Sequence, residues 1–171
     1  MKVATIAEQP AESESLHLFI TNALTQRSSL LIKWIIDSGA SSPMSSQCNW
    51  FHMYQDITPL KKVWLGDEHY ILTTGIGQLH LKMNLSGGKK CLTIIQTMYY
   101  VPNLSGNLIS VSYLTKRGYS VNFDNSQCRI FTKSGELCGV AQDVDNLYTL
   151  NAKPVIPEHA YISHNEQDER E

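Results

Sequence analysis

The triplet Asp37-Ser38-Gly39, followed by Ala40, is the part of this sequence best suited to chemistry. Asp, Ser and Gly also populate ordinary turns, so the triplet gains meaning only from its setting. It closes the apolar run Leu30-Leu31-Ile32-Lys33-Trp34-Ile35-Ile36, which puts a carboxylate on a tight turn at the end of a rigid, buried strand. Gly39 lets backbone approach a substrate closely, and the Ser38 hydroxyl can hold the turn by hydrogen bonding. Such a carboxylate suits peptide-bond hydrolysis, in which one carboxylate acts as base on a water and a second, protonated, hydrogen-bonds the scissile carbonyl. Like charges so close cannot both ionise, and the pair shares one proton. A second Asp-Ser-Gly or Asp-Thr-Gly is absent from the sequence: Asp56, Asp67, Asp124, Asp143, Asp145 and Asp168 are followed by Ile57, Glu68, Asn125, Val144, Asn146 and Glu169. The missing carboxylate is therefore expected from another copy of the chain, across a two-fold axis between two Asp37 residues.

The elements that must position this turn read mostly as strands. Val63-Trp64-Leu65 and Tyr70-Ile71-Leu72 flank Gly66-Asp67-Glu68-His69, a pattern that predicts a hairpin with a polar tip. Leu79, Leu81, Met83 and Leu85 alternate with polar neighbours, the period of a half-buried strand, and Gly87-Gly88 supplies a turn. Cys91 to Val101 reads as a strand stopped by Pro102-Asn103. Leu108, Val111 and Leu114 have helical spacing, with Asn107 available as a cap and Gly118 as a terminator. Tyr119 to Phe123, Cys128 to Phe131 and Leu137 to Val140 are strand-like, with a turn at Ser134-Gly135. Many strands and one short helix predict an all-β fold, a small closed β-barrel. Gly75-Ile76-Gly77 lacks the third glycine and following helix of a nucleotide loop and reads as a bend or bulge in a long strand.

Around this unit, residues 1–28 are expected to form a flexible leader, 29–150 the folded barrel and 151–171 a flexible tail. With 171 residues, 42% of them hydrophobic and 18% charged, the chain fits one ordinary domain with loose ends. The net charge of −2, with lysines and arginines in scattered pairs, provides no basic stripe for direct binding to nucleic acid. No apolar run is long enough to predict a membrane span, and the acidic N-terminus does not read as a secretory signal, so an intracellular setting is expected. Cys48, Cys91, Cys128 and Cys138 form no CxxC pair, and the histidines share no ligand spacing; neither a metal nor a cofactor is expected. Ser41, Ser42, Ser45 and Ser46 sit in no recognisable hydrolase motif with a His and an acid, and read as turn residues.

One ordered set of motifs goes further. Trp34-Ile35-Ile36-Asp37-Ser38-Gly39-Ala40-Ser41, Val63-Trp64-Leu65-Gly66-Asp67, Gly75-Ile76-Gly77, Tyr99-Tyr100-Val101-Pro102-Asn103-Leu104, Asn107-Leu108-Ile109-Ser110-Val111 and Gly118-Tyr119 together resemble the protease segment of copia-type LTR-retrotransposon Gag-Pol polyproteins. The resemblance covers roughly residues 33–150. It implies a retropepsin-like barrel, an aspartic endopeptidase active as a homodimer that cuts its own Gag-Pol polyprotein in the cytoplasm, within a virus-like particle. In that scheme Asp37 is the catalytic carboxylate and Ser38, Gly39 and Ala40 its supporting turn. Leu65, Gly66, Asp67, Glu68 and His69 form the substrate-binding flap, and Asn107 to Leu114 packs behind the active-site turn. Relatives continue toward a pre-integrase region. Pro43-Met44 stands where members of that family commonly carry His-Met, and the proline fixes φ and withholds a donor there. The alternative reading is a truncated, non-catalytic barrel that binds peptides or partners without cutting.

Overall fold

The computed structural model describes residues 32–64 and 69–158. The expected leader, the hairpin tip Leu65 to Glu68 and the tail beyond Glu158 lie outside the described residues. The apolar run around Trp34 forms strand β1 (Trp34–Asp37), with Trp34 and Ile36 facing the core. A two-residue strand, β2 (Met44–Ser45), and a 3-10 turn at Cys48–Trp50 lead into a hairpin much longer than expected. Its arms are β3 (Phe51–Trp64) and β4 (Tyr70–Asn84), paired antiparallel from Phe51 opposite Leu79 to Trp64 opposite Tyr70. Along β4 the buried positions Thr73, Gly75, Gly77, Leu79, Leu81 and Met83 fall at every second residue, so one face of the strand builds the core.

A 3-10 turn at Ser86–Gly88 returns the chain as β5 (Lys90–Tyr100) along the other edge of β4. Then follow β6 (Asn107–Ser110), helix α1 (Val111–Lys116), β7 (Ser120–Phe123), β8 (Gln127–Phe131), β9 (Leu137–Val144), β10 (Leu147–Leu150) and β11 (Ala152–Pro154). The turn between β9 and β10 is Asp145-Asn146, both at positive φ (54° and 63°), the backbone that matches strand twist in a two-residue hairpin and that Asp and Asn tolerate. The strands form one mixed sheet in the order β11-β4-β5-β2-β6-β1-β10-β9-β8-β7, with β3 also on β4. The two parallel pairings, β1 with β6 and β2 with β5, interleave the N-terminal and central parts of the chain. The main core runs from Trp34 and Trp50 through Leu79, Leu81, Ile95 and Met98 to Ile109, Ile130 and Leu150.

Three expectations change. The fold is all-β with one short helix among the described residues, but the hydrogen-bonded path runs open from β11 to β7 instead of closing into a barrel. Ala152–Pro154, expected in the loose tail, pairs with Met83, Lys82 and Leu81 of β4, using the stretch of that edge that β3 leaves free beyond Leu79. The helix starts at Val111, because Asn107–Ser110 is held as a strand alongside β1. Gly118 and Tyr119 then close the helix, their N–H groups donating to Thr115 and Leu114 carbonyls. The bulge expected at Gly75-Ile76-Gly77 is present as a break in pairing after Gly77 against β5, faced on β3 by a break between His52 and Gln55. A side chain at residue 75 would run into the ring of Tyr54, which crosses that point of the strand.

Candidate active site

Asp37 is the last residue of β1, which lies between β6 and β10. A strand bonded on both edges fixes the direction in which its last residue leaves the sheet. The Gly39 N–H donates to Asp37 Oδ1 at 2.7 Å, so the carboxylate is held by its own turn. A Cβ added to Gly39 would stand 3.3 Å from that oxygen, a tight contact that would press on the carboxylate.

Behind the turn, Ser110 pairs directly with Asp37 in the parallel register of β6 and β1. Its fully buried hydroxyl donates to the Ala40 carbonyl at 2.6 Å and accepts the Tyr113 N–H at 3.0 Å. One oxygen thus caps α1 and closes the far side of the Asp37 turn. The ring hydroxyl of Tyr113 accepts the Thr97 N–H at 3.1 Å, tying the helix to β5.

A second buried polar link secures the entry to β1. Asn107 Nδ2 donates to the Lys33 carbonyl at 2.9 Å, and Ser45 Oγ donates to Asn107 Oδ1 at 2.6 Å. Asn107 is therefore a cross-strand brace joining β6, β2 and the start of β1 and not the helix cap its position predicted. Pro43 is fully buried and contributes only its carbonyl, which accepts the Tyr99 N–H at 3.0 Å, so its missing donor is not called upon.

The turn and the hairpin face each other across a cleft of about 370 Å³. Gly39, Ala40, Ser41, Ser42 and Met44 form its floor, and Lys61, Lys62, Val63, Trp64 and Thr73 its hairpin wall, with Tyr99 between them. Asp37 and Ser38 do not line it in the single chain. Of the residues expected in the flap, His69 is exposed just before β4, and Leu65, Gly66, Asp67 and Glu68 are outside the described residues.

Residues 34–119, which hold the turn, the hairpin, Asn107, Ser110 and α1, match the family described as Pol polyprotein, beta-barrel domain. The chain belongs to this family. It is also 28% identical over 123 residues to the retrovirus-related Pol polyprotein from transposon TNT 1-94 of Nicotiana tabacum, an alignment spanning 71% of this chain. The chain covers only 9% of that relative's length. It is thus a domain related to retrotransposon Pol polyproteins.

Within this Pol β-barrel domain the sequence reading missed Ser110, Ser45, Lys61 and Tyr99 as contributors to the site. Ser110 and Ser45 act through partners 70 and 62 residues away, a distance at which local patterning carries no signal. Lys61 carried a weak one: two adjacent lysines at 61 and 62 stand between Leu60 and Val63-Trp64 on the hairpin arm.

Proposed function

We propose that this is the protease domain of a retrotransposon Pol polyprotein, an aspartic endopeptidase that acts as a homodimer on its own Gag-Pol polyprotein in the cytoplasm, within a virus-like particle. The observation that carries the reading is the Asp37 carboxylate, fixed on the Gly39 N–H at the end of a strand whose turn is locked from behind by Ser110. Each copy supplies one such carboxylate. In the pair, the ionised member activates a water while the protonated member hydrogen-bonds the scissile carbonyl. The hairpin wall of the cleft fits a flap that covers the substrate and excludes water. Membership of the Pol family and the kinship with a transposon Pol polyprotein support the same reading.

Asp37→Asn in every copy removes both carboxylates and is expected to lower cleavage of a polyprotein-junction peptide at mildly acidic pH by about three orders of magnitude or more. Cleavage that persists in that variant refutes the assignment of Asp37. A second reading is a peptide-binding domain that does not cut, favoured by the absence of Asp37 from the lining of the single-chain cleft. It predicts junction-peptide binding with no cleavage at any pH or protein concentration.

A further inference from the structure

The hairpin wall of the cleft carries charge, and strand periodicity divides it between two faces. Val63 and its partner Ile71 pack with Tyr99 against Ala40, Met44 and Val101, so this face of β3 looks toward the catalytic turn. Lys61, two residues earlier and opposite the buried Thr73, shares that face. Its Nζ donates to Tyr99 Oη at 3.3 Å and stands 5.2 Å from the centre of the Tyr99 ring. Lys62 alternates to the other side of the strand, at the rim of the same cleft, where its ammonium sits over the rings of Tyr70 (4.2 Å) and Trp64 (5.6 Å). Among the described residues, no Asp or Glu lines the cleft and no carboxylate pairs with either lysine.

A cation anchored at its tip by a phenol, in a cleft whose other described walls are apolar or hydroxyl-bearing apart from Lys62, is a complete half of an ion pair. Tyr99 Oη accepts from Lys61 and keeps its own proton to donate, so two donors converge on one point. A side-chain carboxylate takes both. We infer that Lys61, positioned by Tyr99, selects polypeptide substrates bearing an acidic residue beside the apolar residues that flank the scissile bond. This rests on the reading of the cleft as the substrate groove of the proposed protease. A polyanion is the poorer fit: on a chain of net charge −2, two wall lysines, one of them already seated over the Tyr70 and Trp64 rings, answer one carboxylate and not a run of phosphates.

The test reads binding apart from cutting. Fluorescein-labelled octapeptides, identical except for Glu, Gln or Lys beside a central apolar pair, are titrated into the full chain carrying Asp37→Asn, with anisotropy as the signal. The Glu peptide is expected to bind about five- to tenfold tighter than the Gln peptide and to outbind the Lys peptide, with the ratio shrinking as salt rises. Adding Lys61→Met or Lys61→Gln should bring the Glu-to-Gln ratio within about twofold, whereas Lys61→Arg should keep most of it. Thermal melting of each variant verifies its fold, and the two neutral replacements serve as alternates if one fails to fold. A ratio near one in the parent, a ratio unchanged in both neutral variants, no binding by any peptide, or displacement of the Glu peptide by a single-stranded RNA decamer more effectively than by unlabelled Glu peptide overturns the inference. Selective binding alongside a wild-type chain that never cuts would retain the acidic preference and discard the protease.

Discussion

Ser110 shows how much a single hydroxyl can hold. It sits opposite Asp37, bonds the Ala40 carbonyl and caps α1, all without exposure to solvent. Ser110→Ala leaves a buried carbonyl and a helix N–H unanswered, and should cost about 1–3 kcal/mol of stability in urea denaturation, together with a fall in any activity that depends on the turn. A variant as stable and active as the parent would show that the turn holds itself. At this scale the sequence was legible for the turn joining Asp37 to Gly39, because a strand end, a turn and its glycine are contiguous, although it is the Gly39 N–H that holds the turn where the Ser38 hydroxyl was expected to. It was misleading for Asn107, where an ordinary capping residue is claimed instead by Lys33 and Ser45 from distant strands.

Among elements, β4 carries the most partners: β5 on one edge, and β3 then β11 on the other. Where β3 gives way to β11, the rings of His52 and His80 stack at 3.9 Å, nearly parallel. His52 Nε2 meets the Val155 carbonyl at 2.7 Å, and the Val155 N–H donates to the His80 carbonyl at 2.8 Å, so the strand that follows β10 is moored at this pair. Burial first, and then the neighbouring His52, pushes the pKa of His80 below its ordinary value of 6.5. Lys82 shares the His80 face of β4 and Lys153 is paired with Lys82, so no anion is supplied there by either residue. The unfolded chain then binds a proton at a higher pH than the folded one. Stability from this site is complete above about 6.5 and declines as pH falls from there toward the depressed folded value. Urea midpoints taken between about pH 7.5 and pH 5 should fall on acidification, and His80→Phe should flatten that slope while keeping a ring against His52. A parent that gains stability on acidification contradicts this account. The alternation of Leu79, Leu81 and Met83 made β4 readable in sequence, but the docking of β11 was not, because Ala152-Lys153-Pro154 becomes a strand only when an edge is offered to it.

For the whole molecule, period-two patterning gave the all-β class and the helical spacing of Leu108, Val111 and Leu114 pointed to α1. The order of strands was beyond such reasoning: β1 is flanked by β6 and β10, neither near it in the chain. Closure into a barrel was expected from the number of short strands, and the single chain has an open strand path. The proposed protease makes one further demand at this scale, that activity follow assembly. Sedimentation equilibrium at about 10–100 μM should give a monomer–dimer equilibrium, and initial cleavage rates should rise with the square of chain concentration below its midpoint. The Asp37→Asn chain should assemble equally well. A strict monomer that nevertheless cuts would remove the need for a second carboxylate from a partner.

The chain's three tryptophans divide in a way that provides a built-in optical probe. Trp34 and Trp50 are buried, with ring centres 5.7 Å apart, while Trp64 stands 64% exposed on the hairpin arm at the cleft. Emission from the first two therefore belongs to the core, and the red-edge, iodide-quenchable part to the hairpin. Swinging that arm down over a bound peptide would turn the quenchable fraction blue without touching the rest, so closure can be timed in a stopped-flow mixer without a label.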